Sequence, residues 1–264
     1  MSDDIVLYDE QDGVALITFN RPDRLNSWTG ELGSAYFDAL DRGAAAGSVK
    51  AIVVTGAGRG FCSGADMDML QGIGASGAEG EASPKLRDER HDYALSIPKP
   101  VVAAINGACA GLGMVHAMMC DIRFAAEGAK FTSAFARRGL IAEHGLSWML
   151  PRVVGPSNAL DILMSGRVFL ADEAKDLGVV SKVFAQDELL SATMDYARDL
   201  GRYSAPWSMA QMKRQVWGQL DQSRTDALDE TNSIMRQSLR RTDFKEGVQS
   251  FLERRDPAFE PVGE

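Results

Sequence analysis

Basic charge, thiols, histidines and long apolar runs are all scarce in this chain, and each scarcity argues against a class of function. Lys and Arg number 28 against 37 Asp and Glu, a formal charge of -9 over 264 residues. A phosphate backbone or an anionic bilayer demands a basic field, so nucleic acid and acidic membrane surfaces are poor partners for such a chain. A local basic spot for one small anion is still compatible with it. No apolar run approaches the roughly 20 residues that span a bilayer, and the start, Met1-Ser2-Asp3-Asp4-Ile5-Val6, has neither a basic n-region nor an Arg-rich amphipathic pattern. The expectation is a soluble, cytoplasmic protein. The three cysteines, Cys62, Cys109 and Cys120, lie among apolar residues or glycines without metal-site spacing, as buried reduced thiols do. His91, His116 and His144 are too scattered to nominate a zinc site, and no metal is expected.

What is abundant is ordinary globular material: 45% hydrophobic residues, 25% charged and 26 glycines, enough to bury a large core in one main domain with an appendage. The chain is organised around Lys99 to Asp121. Val101 to Ile105 reads as a strand buried on both faces, Asn106-Gly107 punctuates it, and Gly111-Leu112-Gly113 opens an apolar helix from Met114 to Cys120. The glycines there have two readings: a cradle for negative charge at the free N–H groups of a helix start, or a tight strand-to-helix joint. On the apolar helix, His116 reads as a core residue.

Upstream, Ile5 to Tyr8 and Val14 to Phe19 form a hairpin pattern around Gln11-Asp12-Gly13. Ser27 or Thr29 can cap an amphipathic helix carrying Leu32, Tyr36, Ala39 and Leu40. The strand Ala51 to Thr55 leads into a glycine-dense loop, Gly56 to Asp66. A short helix is expected at Met67 to Gln71, a mobile Gly- and Ala-rich stretch at Gly72 to Ser83, and a helix at Pro84 to Ile97. Downstream, strands are expected at Asp121 to Ala125, Lys130 to Thr132 and Val179 to Val183. Between them lie a loop at Gly139 to Gly145 and helices at Leu146 to Val153, Ser157 to Met164 and Ala171 to Leu177. Alternating strands and helices imply an α/β fold. From Asp187 on only helices appear: Leu190 to Gly201, Pro206 to Leu220, Arg224 to Arg241 and Phe244 to Glu253. Apolar stripes on several of them need a partner surface.

Four stretches in register resemble the crotonase superfamily, the enoyl-coenzyme A hydratases and isomerases: Asn20-Arg21-Pro22 with Leu25-Asn26; Gly64-Ala65-Asp66; Lys99-Pro100 through Asn106-Gly107 to Asp121; and Glu246-Gly247 with Phe251 to Arg255 and Pro257-x-Phe259. The resemblance covers nearly the whole chain. It implies a spiral of ββα units, taken as residues 1–200 with the acyl-CoA site, and a helical trimerisation region, 201–264, with trimers often pairing into hexamers. It also implies an acyl-CoA substrate, with no cofactor beyond the coenzyme A moiety, and a place in fatty acid metabolism.

Enolate chemistry next to a thioester needs donors preset at the thioester oxygen, and the family supplies them from the backbone N–H groups at the positions of Ala65 and Leu112, Leu112 standing where a glycine is frequent. The two glutamates of the standard hydratases fall on Val115 and Phe135, so the two-carboxylate handling of one water is absent. Glu143, in the loop where some family isomerases carry their only acid, is the candidate sole acid-base group for double-bond isomerisation or hydration. His144 could orient it. Asp66 is either a second acid or the cap of the helix at Met67. Coenzyme A phosphates have candidate partners in Arg21, Arg24, Arg59, Arg254 and Arg255. Gly64 and Gly111 frame the thioester, and Met67 and Met69 are expected in the acyl wall. Two alternatives stay open: an acyl-CoA-binding paralogue without catalysis, and a related reaction such as thioester hydrolysis, decarboxylation or dehalogenation.

Overall fold

The computed structural model describes residues 4–68, 71 and 91–261. Three buried, largely β-branched or small-residue runs form its spine: β2 (Val14–Phe19), β3 (Ala51–Gly56) and β5 (Val101–Ile105). They lie parallel, with Val14 opposite Ala51 and Ile52 opposite Val101. β1 (Val6–Gln11) closes one edge by an antiparallel hairpin, turning at Asp12 and Gly13, both with positive φ. β7 (Ile122–Ala126) and β10 (Lys182–Phe184) extend the other edge, giving a six-stranded sheet in the order β1-β2-β3-β5-β7-β10. A smaller sheet holds β4 (Gly60–Cys62), β6 (Ala108–Ala110), β8 (Lys130–Thr132) and β9 (Phe169–Leu170), in that order. Strands consecutive along the chain go to different sheets: β3 then β4, β5 then β6, β7 then β8. Repetition of this step, with helices between turns, is a spiral of ββα units.

The large sheet is covered on both faces, which is why its strands read as continuous apolar runs rather than alternating ones. On one face Ile17, Phe19, Ile52, Val54, Val101 and Ile105 pack with Leu32, Tyr36 and Phe37 of α1 (Gly30–Ala45) and with Met114 and Val115 of α2 (Leu112–Met118). On the other, Val53, Val102, Ala104 and Phe124 meet Leu189, Met194 and Ala197 of α6 (Leu189–Tyr203). Thr29 caps α1, its side chain accepting from the Leu32 N–H at 3.2 Å, and so decides between the two capping residues that the sequence offers.

α3 (Leu146–Val154), α4 (Pro156–Ser165) and α5 (Ala171–Asp176) lead to β10, and α6 then runs across residue 200 as part of the core. α7 (Pro206–Gly218), α8 (Arg224–Ser238) and α9 (Thr242–Glu253) follow. α7 is fastened to the central strands by one buried ion pair: Lys213 Nζ lies 2.7 Å from Asp121 Oδ2 and donates to the carbonyls of Ala94 and Lys99. Asp121 accepts in addition from the Trp217 indole and the Val101 N–H. Its lone pairs are therefore used by three donors, two from α7 and one from β5, as a buried carboxylate requires. Beyond that anchor the tail leaves Met212, Val216, Leu228, Met235, Phe244, Val248, Phe251 and Leu252 exposed.

The structure differs from the sequence reading in a few places. The helix expected to reach Ile97 is, in its described part, only a 3-10 turn over Tyr93–Ser96; residues 84–90, like 72–83 and Met69, lie outside the described residues. β6 and β9 were not expected, and β4 falls within the stretch read as a glycine loop. No helix among the described residues is long and apolar enough to cross a membrane.

Candidate active site

The site begins where β4 ends. Gly64 has φ +97°, and a Cβ there would lie 3.0 Å from the Ala110 carbonyl oxygen, so both backbone shape and the neighbouring strand call for glycine. The chain then forms an isolated parallel bridge with Trp28 at Ala65. In that bridge the Trp28 N–H donates to the Gly64 carbonyl at 2.7 Å and the Asp66 N–H donates to the Trp28 carbonyl at 2.9 Å. The residues on either side of Ala65 thus make the ladder, and the Ala65 N–H is turned away with no acceptor among the described residues.

A second unsatisfied donor comes from α2. Gly111 is its N-cap, with φ 49° and ψ -117°, and Leu112 is the first helical residue, whose N–H no carbonyl within the helix can reach. Leu112 is not among the residues with positive φ, so the side chain that replaces a frequent glycine is accommodated and the N–H is retained. Gly113 has a separate reason. A Cβ on it would lie 2.0 Å from the Cys62 carbonyl oxygen: α2 is seated directly on the backbone of β4. Both readings of the Gly-x-Gly therefore have a place, the joint at Gly113 and the free donor at Leu112.

A cavity of about 400 Å³ joins the two donors. Ala65 and Leu112 line it together with Trp28, Phe135, Leu140 and Glu143. Glu143 is the carboxylate among its described lining residues, one-third exposed, with its Oε2 3.7 Å from His144 Nε2. Where a second glutamate of the two-glutamate type would stand, Phe135 contributes an apolar ring to the wall. Val115, at the other such position, is wholly buried in the core. Two backbone donors and one carboxylate facing a common apolar space can hold an oxygen that gains negative charge while a proton is taken from a neighbouring carbon.

The three histidines, separate in sequence, converge here. The His91 Nδ1 and His116 Nε2 are 3.1 Å apart, within hydrogen-bond distance. His116 stacks on Trp28 at 3.9 Å between ring centroids, and the His91 and His144 ring centroids are 4.0 Å apart. His116 is buried among Trp28, Tyr36 and Phe37, a core position as its place on the apolar helix suggests. Burial pushes the His91 imidazole down to about 4, and it also lowers His116, strongly, and His144. All three are therefore neutral near pH 7. No group of three or more His, Cys, Asp or Glu among the described residues could hold a metal ion.

Of the residues that the sequence nominates, Gly64, Ala65, Gly111, Leu112 and Glu143 meet in this cavity. Asp66 does not line it. It is buried, accepts from the Ser27 hydroxyl at 2.7 Å and from the Asp68 N–H, and lies 3.1 Å from Arg21 Nη2. The Ser27 hydroxyl, ahead of the Arg21 guanidinium, holds its carboxyl below the usual range. Arg21 also donates to the Ser27 carbonyl, so its guanidinium is built into this corner. Arg24 and Arg59 are exposed on the surface near the first two motifs, and Met67 is exposed rather than in the cavity wall. Arg255 pairs with Glu246 and Glu253, and Arg254 ends α9 in the left-handed conformation. Sequence reasoning passed over Arg138, Ser63, Ser133, Trp28 and His91, which also line the cavity. Only Arg138, the last residue of a 3-10 turn over Ala136–Arg138 and ahead of the Glu143 loop, had a signal that could have been read, as a cation beside an apolar stretch.

Comparison with known proteins agrees with this geometry. The family model for enoyl-CoA hydratase/isomerase matches residues 9–261. The chain is 31% identical over 258 residues to the 1,2-epoxyphenylacetyl-CoA isomerase of Escherichia coli K12, covering 97% of this chain and 98% of that one. It is 36% identical over 265 residues to a probable enoyl-CoA hydratase, echA12, of Mycobacterium leprae, covering 97% and 89%. Among solved structures, the enoyl-CoA hydratase EchA12_1 from Mycobacterium marinum is 47% identical at a TM-score of 0.70, over 81% of this chain and 98% of that one. A probable enoyl-CoA hydratase/isomerase from Mycobacterium abscessus is 30% identical at 0.89, over 97% and 98%. Sequence signatures, spiral topology and these relatives converge: the chain belongs to the enoyl-CoA hydratase/isomerase family of the crotonase superfamily.

Proposed function

We propose that this enzyme acts on an enoyl-CoA thioester by moving its double bond, with the Ala65 and Leu112 N–H groups holding the thioester oxygen and Glu143 as the single acid-base group. The observation that carries the reading is the lining of the cavity, where both unsatisfied donors and one carboxylate face the same space and Phe135 stands in place of a second acid. Removal of a proton beside the thioester places negative charge on its oxygen. Donors already in position stabilise that charge without reorganising, usually the largest catalytic contribution. One carboxylate can accept a proton at one carbon and return it at another, so isomerisation needs no second acid.

Hydration is the second reading. It is favoured by His144, whose Nε2 lies 3.7 Å from Glu143 Oε2 and which could hold a water against that carboxylate. Arg138 at the cavity and Arg24 and Arg59 on the surface are the cations nearest in character to what coenzyme A phosphates require. No cofactor other than the substrate's coenzyme A is called for by this scheme. The exposed apolar residues of α7 to α9 support assembly into a trimer or hexamer.

Incubation with a 2-enoyl and a 3-enoyl thioester, with both products followed by mass, separates the readings. Interconversion without gain of water is isomerisation, and gain of one water is hydration. Glu143→Gln keeps size and polarity and removes the proton acceptor, so acyl-CoA binding should persist while conversion collapses. Conversion by the Gln variant near the native rate would overturn the assignment of Glu143. A native protein that binds acyl-CoA and converts no enoyl thioester would support a binding role instead.

A further inference from the structure

The polar side of the cavity contains more than isomerisation uses. A pocket for a plain alkyl chain needs apolar walls, and Trp28, Phe135 and Leu140 supply them. His91 and His144 line the same space. Their imidazoles are held neutral, so each presents a hydrogen-bonding nitrogen rather than a positive charge. His91 is also held in place. Its Nδ1 is 3.1 Å from His116 Nε2, and His116 is fixed by stacking on Trp28 and by the edges of Tyr36 and Phe37. That contact leaves His91 Nε2 without a hydrogen-bond partner among the described residues. The order of contacts runs from Glu143 to His144, then to His91, then to His116. In this row of contacts His91 lies on the other side of His144 from Glu143, within the same cavity lining.

We propose that the pocket selects acyl groups that carry a neutral oxygen, as a hydroxyl or a ketone, beyond the reacting carbons, and that His91, flanked by His144, hydrogen-bonds that oxygen. This rests on the acyl-thioester reading above. An alkyl chain would strip water from the imidazoles and return nothing, whereas an oxygen at that place restores the hydrogen bond. A site built to hydrogen-bond its ligand discriminates strongly against the analogue that lacks the partner.

The test is calorimetric binding to the full chain, with saturated thioesters that have no double bond to move. Hexanoyl-CoA is compared with 5-oxohexanoyl-CoA and 6-hydroxyhexanoyl-CoA, and phenylacetyl-CoA with its 4-hydroxy analogue. At least one oxygenated ligand should bind about tenfold or more tighter than its parent. His91→Phe keeps a ring and removes the nitrogens, and should abolish the preference; His91→Gln should keep part of it. Equal binding of parent and oxygenated ligands in both series overturns the inference, and so does a preference that survives in folded His91→Phe. If that variant does not fold, His91→Gln decides: a native preference that folded His91→Gln leaves undiminished overturns the inference, and a reduced one supports it. Failure of every thioester to bind the folded native protein overturns the acyl-thioester reading itself, an outcome distinct from equal binding.

Discussion

Gly113→Ala tests the joint that seats α2, whose first residue Leu112 supplies one of the proposed oxyanion donors. The new Cβ would lie 2.0 Å from the Cys62 carbonyl oxygen and 2.8 Å from its carbonyl carbon and Cβ. Those atoms belong to the backbone of β4, held in register by β6 with Cys62 opposite Cys109, so no side chain can swing aside. Ordinary contact begins near 3.4 Å, and α2 must therefore retreat by about 1.4 Å. Behind it lie the wholly buried Leu146 and Met149 of α3, which leave no room. Overpacking of this kind costs about 1–3 kcal/mol, a fall in Tm of roughly 2–6 °C for a chain of this length. The N–H of the adjacent Leu112 moves with the helix, and misplacement by about 1 Å can cost on the order of a hundredfold in turnover. Thermal unfolding by circular dichroism and a turnover assay on an enoyl thioester read the two effects separately. Gly47→Ala is the control, because a Cβ there meets nothing within 4 Å; it should leave Tm unchanged or slightly raised. A Gly113→Ala protein that melts within a degree of the native one would show that α2 does not rest on β4 at this contact.

Leu112→Pro removes one proposed donor with a residue that the first helical position tolerates, so the fold should survive while turnover drops by about a hundredfold. Unchanged turnover in the folded variant would mean that this N–H does not face the thioester. The neutral histidines give the fold a pH dependence of known sign. His91 falls from 6.5 unfolded to about 4 folded, so its contribution is fully present above pH 6.5 and is lost as pH drops toward 4. Melting temperature between pH 7.5 and 4.5 should decline less steeply in His91→Gln than in the native protein, and parallel declines would refute it. Removing residues 224–264 should yield monomers or aggregates by light scattering, since α8 and α9 carry Leu228, Met235, Phe244 and Phe251 exposed; a well-behaved trimer after truncation would show the tail to be dispensable.

The three central strands of the large sheet were legible because each is a mainly apolar run with a turn at its end: Val14 to Phe19, Ala51 to Thr55 and Val101 to Ile105 need only burial on both faces to be recognised. Of the small sheet only β8 (Lys130–Thr132) was. β4, β6 and β9 are three, three and two residues long, too short for a period of two to register, and their glycines, alanines and cysteines have low strand propensity. The same limit applies to Gly113, whose role depends on the Cys62 backbone about fifty residues away in sequence and on nothing in its own neighbourhood. Glu143 was nominated by the resemblance, as the acid of the Gly139 to Gly145 loop once Val115 and Phe135 fill the positions of the usual glutamates. His91, beside a stretch outside the described residues, had no such mark.

Trp28 links the parts that the sequence left separate. Its backbone makes the bridge that takes up the Gly64 carbonyl and the Asp66 N–H, leaving the Ala65 N–H out of that ladder beside the cavity that Ala65 lines. Its indole meanwhile stacks on His116, the residue that fixes His91. One residue therefore touches both the segment of the proposed oxyanion donor and the histidine that holds His91. Neither task follows from the identity of a tryptophan ahead of a helix cap. Both follow from the parallel approach of the Gly64–Asp66 segment, which the spiral of strands brings alongside it, and this puts the proposed donor and the proposed polar wall on a common support.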